Sequence, residues 1–259
     1  MTAVMQSKAE RYAALINKVK KSYPTIRDND TCEVKLFWCD ACQEINLWTY
    51  WQGRNNLDAS IMLVGQDWGS PWDDSSNNTM AQIDRANQGM EYDYLHDNPS
   101  ITDKRLTELF GLLGYSDIRK PCGDLFFTNY VLGYRNHGLT GGFQRDWIEH
   151  DKAYFRELVN IVEPRVVLCL GRSTFEGVIK SLKQSGKVRI GRYNSFIESE
   201  NNPIPVVLDS GQNIHVFALA HCGALGTMNR NRGYPKTGDI LEVQKRDWQK
   251  VIPYLNKQY

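Results

Sequence analysis

Ile61-Met62-Leu63-Val64-Gly65-Gln66-Asp67-Trp68-Gly69 is an apolar run that stops at a glycine and passes at once to polar and aromatic residues. From Ser60 to Val64 it has strand length and no polar alternation, the pattern of a strand buried on both faces. The same grammar returns three times. Leu125–Thr128 ends at Asn129, Arg165–Leu170 at Gly171, and Ile214–Ala220 at His221. Stretches long enough for a helix separate the runs. Leu106–Leu113 and Trp147–Val162 have amphipathic spacing, and Ser173–Leu182 adds a third helix with Ser173 as its expected cap. Met5–Lys21 places Tyr12, Leu15, Ile16 and Val19 on one side and stops before Pro24. Glu242–Leu255, interrupted near Pro253, is the closing helix. Lys187–Asn213, with Asn201, Asn202, Pro203 and Pro205, reads as an irregular excursion or hairpin. Strands alternating with helices predict an α/β fold: a three-layer sandwich with a mainly four-stranded parallel sheet.

Composition bounds the class. The chain has 259 residues, 31 Lys and Arg against 30 Asp and Glu, and a net charge of +1. Its 41% hydrophobic content is that of a globular protein with a good core, which excludes disordered and low-complexity classes. No apolar run approaches the roughly 18–20 residues of a membrane span. Met1–Lys21 lacks the apolar centre of a signal peptide, which points to the cytoplasm, or the nucleus in a eukaryote. With no repeat and no clear linker, one domain over 1–259 is expected, as a monomer. A Cys- and Trp-rich extension at 24–56 sets itself apart by composition.

Polar residues gather just past the four runs: Gln66 and Asp67, Asn129, Arg172 and Ser173, and His221. In open α/β sheets ligands bind outside the carboxyl ends of the strands, so these clusters should converge although they are far apart in sequence. A carboxylate after a buried strand can orient a water. A neutral imidazole can donate a hydrogen bond to a group that becomes anionic. Asn129 offers a donor and an acceptor in one plane, suited to an amide-like ring edge. The three together fit cleavage of a bond to a heterocyclic leaving group. Taken singly, each is as readily a cap or a core residue.

Gly65-Gln66-Asp67-Trp68-Gly69 resembles the first motif of the uracil-DNA glycosylase superfamily. Leu125-Phe126-Phe127-Thr128-Asn129 resembles its second strand, and His221-Cys222-Gly223-Ala224-Leu225-Gly226 its last motif. Val166–Gly171 with Ser173 and Thr174 fits the strand and helix between them. The resemblance spans Ile61 to about Arg232. It implies that Asp67 activates water, that Gln66, Trp68 and Gly69 hold the base, that Asn129 reads its edge, and that His221 stabilises the departing anion. It also implies that Leu225 is a wedge into DNA containing uracil or a deaminated base. Separately, the basic stretches make Arg172 and Arg230, with Ser173 as a polar donor, candidates to contact phosphates, as readily as a solvated face.

Several residues depart from the motifs. Trp68 replaces a proline, and Gly69 stands where the strictest branch has a tyrosine that excludes thymine, so larger bases become admissible. Both prolines of the last motif are gone, leaving Cys222 and Ala224. Trp72, Tyr92 and Tyr94 are the candidates for the aromatic that stacks on the base. The charge map is divided. Arg165–Arg192 holds seven basic residues against one acid, whereas Asp67–Asp103 holds eight acids and only Arg85. Cys32, Cys39 and Cys42 suit a structural zinc, with Cys122 or a histidine as fourth ligand, as readily as a reduced core cluster. The iron–sulfur cluster of some branches is disfavoured, because no cysteine lies between Cys122 and Cys169. Catalysis calls for no cofactor on this reading. Two rivals stand beside it: a silent superfamily member that binds DNA or a nucleobase, and an unrelated α/β enzyme acting on a small nucleoside or phosphate ester.

Overall fold

The computed structural model describes residues 6–26, 36–44, 52–69, 79–88, 100–118, 122–135, 144–235 and 238–255. The order is α1 (Lys8–Ser22), β1 (Thr25–Ile26), β2 (Leu36–Cys39), β3 (Ile61–Gly65), α2 (Thr79–Asn87), α3 (Ile101–Leu112), β4 (Leu125–Asn129), β5 (Tyr134–Arg135) and α4 (Arg145–Val162). It continues with β6 (Val166–Leu170), α5 (Arg172–Ser181), α6 (Tyr193–Glu198), β7 (Ile204–Val207), β8 (Asn213–Leu219), α7 (Ala224–Arg230), α8 (Glu242–Gln249) and α9 (Ile252–Leu255).

The large sheet has five strands in the order β4-β3-β6-β8-β7. The four expected strands are parallel, and every residue of β3, β4 and β6 is buried, which is why their sequences read as unbroken apolar runs. Side chains alternate between two cores. Met62, Val64, Phe126, Val167, Cys169, Val216 and Ala218 face one cluster with Phe155 and Leu158 of α4 and Phe175 of α5. Ile61, Leu63, Leu125, Phe127, Leu168, Leu170, Phe217 and Leu219 face the other, with Leu106, Leu109 and Phe110 of α3 and Trp248 of α8. Helices therefore cover both faces. From β3 the chain crosses to β4 on one side and returns to β6 on the other. This makes the carboxyl ends of β3 and β6 the switch point, where an open α/β sheet leaves a crevice.

The fifth strand, β7, comes from the segment read as an irregular excursion or hairpin, and with β8 it forms the hairpin. It runs antiparallel to β8 at the sheet edge, with Pro205 opposite His215. Only Val206 of its four residues is buried, so it lacks the apolar run that marks the others. A correction concerns α5. The helix starts at Arg172, and Gly171, at φ 96°, is the residue that caps it; Ser173 lies inside. Glycine takes that φ without steric cost, so the chain turns from β6 into the helix without a serine cap.

The 24–56 extension contributes two strands of a second, three-stranded sheet in the order β1-β2-β5, whose third strand is Tyr134–Arg135. Leu36, Phe37, Trp38, Cys39 and Cys42 join the same buried cluster as Tyr12, Leu15 and Val19 of α1. Helix α1 opens on a capping box between Ser7 and Glu10. The break expected near Pro253 is real: α8 ends at Gln249, and Pro253 falls in the first turn of α9. Among the described residues, no helix is long and apolar enough to cross a membrane.

Candidate active site

Pairing between β3 and β4 sets Gly65 opposite Asn129, and the tie continues past the strand ends. The Tyr130 N–H donates to the Gly65 carbonyl at 2.9 Å and the Val131 N–H to the Gln66 carbonyl at 3.0 Å. Farther on, Trp68 forms a bridge with Tyr134, and the Arg135 N–H donates to the Trp68 carbonyl at 3.2 Å. The turn bearing Asp67 is thus held along its length by residues 130–135. Asp67 Oδ2 accepts from Arg135 Nη2 at 2.6 Å and from Gln66 Nε2 at 2.7 Å. Both charged side chains are nearly closed to solvent, and the guanidinium lies 5.0 Å from the centre of the Trp147 ring. These bonds hold the carboxylate in one orientation through a single oxygen.

Asn129 is 1% exposed, and its amide nitrogen has no hydrogen-bond partner among the described residues. An unmet buried donor costs about 1–3 kcal/mol, which an acceptor on a ligand would recover.

His221 follows β8. Its Nδ1 accepts the Gly223 N–H at 2.9 Å, so the neutral ring carries its proton on Nε2. Burial pushes its pKa below the ordinary 6.5, while the charge of Asp67 pulls the other way. The carboxylate of the first motif is thus near enough to act on the imidazole of the last. The loop leaves little room: a Cβ at Gly223 would stand 2.9 Å from His221 Nδ1, and one at Gly226 would overlap the His221 carbonyl oxygen. Leu225, in the first turn of α7, is 68% exposed, as a wedge would have to be. Trp68 is half-buried and packs against both cores, and Gly69 is half-buried beside it.

The expected DNA contacts divide. Arg172 is exposed and paired with Glu176 at 2.7 Å. Ser173 lines an open groove of about 610 Å³ with Arg145 and Lys180. Arg230 is corrected: it is 1% exposed and committed to Asp247 through two bonds of 2.7 and 2.9 Å and to Glu198 at 2.7 Å. Counting positive charge along the sequence misses a carboxylate seventeen positions later in the fold.

Cys39 and Cys42 lie side by side and buried, and the Cys42 N–H donates to the Cys39 carbonyl at 2.9 Å. The hydrogen bond with Cys42 lowers the Cys39 pKa, whereas burial pushes that of Cys42 well up. Cys32 lies outside the described residues. Cys122 packs with the other core, apart from this pair. Among the described residues, no group of three or more His, Cys, Asp or Glu is placed to hold a metal. Trp72, Tyr92 and Tyr94 also fall outside the described residues.

Arg135 is the site residue that sequence reading missed. It sits on a two-residue strand with no periodicity, and its partner lies sixty-eight positions away. No family model matches this chain, and no curated protein matches it.

Proposed function

We propose that the protein is a monofunctional DNA glycosylase that hydrolyses the bond between deoxyribose and uracil or a related deaminated base. The observation that carries the reading is an Nε2-protonated, neutral His221 past the end of β8 within reach of the charge of Asp67, past the end of β3, with β6 between the two strands. In this reaction the base is flipped into the crevice and its glycosidic C–N bond breaks, the electron pair leaving with the base. The His221 Nε2–H donates to the carbonyl oxygen on which that charge gathers. Asp67 faces the cationic sugar and orients the water that attacks C1′, whose proton passes to the carboxylate. Among the described residues Oδ1 carries no bond, and it is the oxygen for that water. The unpartnered Asn129 amide supplies a donor for a ring carbonyl, which favours uracil or hypoxanthine over their amino-bearing parents.

The test is base release from oligonucleotides bearing uracil, hypoxanthine, xanthine or a thymine mismatch, scored as alkali-labile sites. Release from at least one, reduced about 100-fold or more in Asp67→Asn, is expected. Full activity in Asp67→Asn would remove the carboxylate from its role. One observation favours a second reading, a silent binder of DNA or nucleobase: the ion pair with Arg135 already occupies one carboxylate oxygen. Salt-dependent binding to uracil DNA with no alkali-labile product would decide for it.

A further inference from the structure

The loop from Ala220 to Gly223 carries His221 without a proline to fix its backbone. Three helices converge on it instead. Arg105 of α3 donates from Nη1 to the Cys222 carbonyl at 3.0 Å and to Thr227 Oγ1 at 2.9 Å. The Thr227 hydroxyl, on α7, donates to Gln244 Oε1 at 2.7 Å. Gln244 Nε2, on α8, donates back to the carbonyls of Ala220 at 3.2 Å and His221 at 3.3 Å. The circuit closes around the loop, and all three side chains are buried. No carboxylate pairs with Arg105 among the described residues, so its charge is spent on a carbonyl and a hydroxyl. A buried guanidinium held this way is poor value for stability, since a well-packed apolar residue would serve as well. What the polar circuit adds is direction, because each bond has a required angle.

We infer that Arg105, Thr227 and Gln244 are positioning residues that fix the His221 backbone, keeping Nδ1 on the Gly223 N–H and the Nε2 proton free for the leaving group. This rests on the role proposed for His221. The backbone fixes the ring because Nδ1 accepts its hydrogen bond from an amide only two residues away. A small rotation at Cys222 or Gly223 would break that bond and free the other tautomer.

The experiment uses the full chain with nitrogen-15-labelled histidine, and reads the imidazole tautomer by long-range NMR. His221→Gln identifies the signal. Wild type is expected to give one Nε2–H tautomer, Thr227→Val a mixture, and Thr227→Ser the wild-type pattern. Gln244→Met, which cuts the circuit at its other end, carries the same expectation should Thr227→Val not fold. In the release assay, Thr227→Val should lower kcat about 10- to 100-fold with KM little changed, since misplacing a group far from the chemistry has effects of this size. A single unchanged tautomer in the folded variants overturns the inference, whatever the rate. Should wild type release no base, the proposed reaction fails, while the tautomer comparison still decides what the circuit does.

Discussion

Asp67 shares one oxygen between Arg135 and Gln66, so its geometry depends on a residue from a different sheet. Replacing Arg135 by glutamine would strand a buried carboxylate, a change that typically costs about 3–5 kcal/mol. Urea unfolding should show a loss of this order, and Asp67→Asn added to Arg135→Gln should recover most of it. Equal, additive losses would mean that the pair does not interact in the folded protein. His221 supplies the pH dependence. Burial depresses its folded pKa below 6.5, with Asp67 opposing. Its stabilising contribution is therefore present above about pH 6.5 and lost as pH falls through the lowered value. Base release should hold at pH 6.5 and decline below it, and His221→Gln should abolish that limb of the profile. Asp67, Asn129 and His221 stood out as candidates because each lies at the end of an apolar run or within two residues of it. Arg135 was not, because an ion pair between distant segments leaves no local pattern.

At the scale of elements, α7 shows how charge can mislead. Arg230 looks like a phosphate contact in sequence, yet in the fold it ties α7 to Asp247 of α8 and Glu198 of α6. Arg230→Met should lower stability by about 3–5 kcal/mol and leave the salt slope of DNA binding unchanged. Arg172→Ala should do the reverse, reducing the slope by about one unit at little thermal cost if that side chain meets a phosphate. Gly226 in the same helix is fixed by contact. Alanine there would drive its Cβ into the His221 carbonyl, so Gly226→Ala should lose base release along with about 1–3 kcal/mol of stability. The four parallel strands could be read from sequence because burial on both faces leaves only apolar residues. For β7 the sequence left hairpin and irregular excursion both open, because an edge strand with one buried residue has little to distinguish it from a loop.

Over the whole molecule, α1 is clasped to α4 and to the end of β4 by one buried carboxylate. Asp151 accepts from the Tyr23 hydroxyl at 2.5 Å and the Leu132 N–H at 2.8 Å, and lies 2.8 Å from His150 Nδ1. The hydrogen bond to Asp151 raises the His150 pKa above 6.5, against the opposing effect of burial. The sign is opposite to that of His221: this stabilisation is full below about pH 6.5 and lost as pH rises through the raised value. Melting curves of wild type and His150→Gln should differ most near pH 6 and converge at alkaline pH. An unchanging gap would give the histidine a packing role alone.

Tyr134, which bridges to Trp68, is paired on its other side with Phe37 of β2. Lesions on β2 should therefore silence the protein without touching the crevice. A saturation screen for loss of activity ought to light up two islands, one around the tips of the parallel strands and one at residues 36–39. The second would look, on a linear map, like an unrelated hotspot.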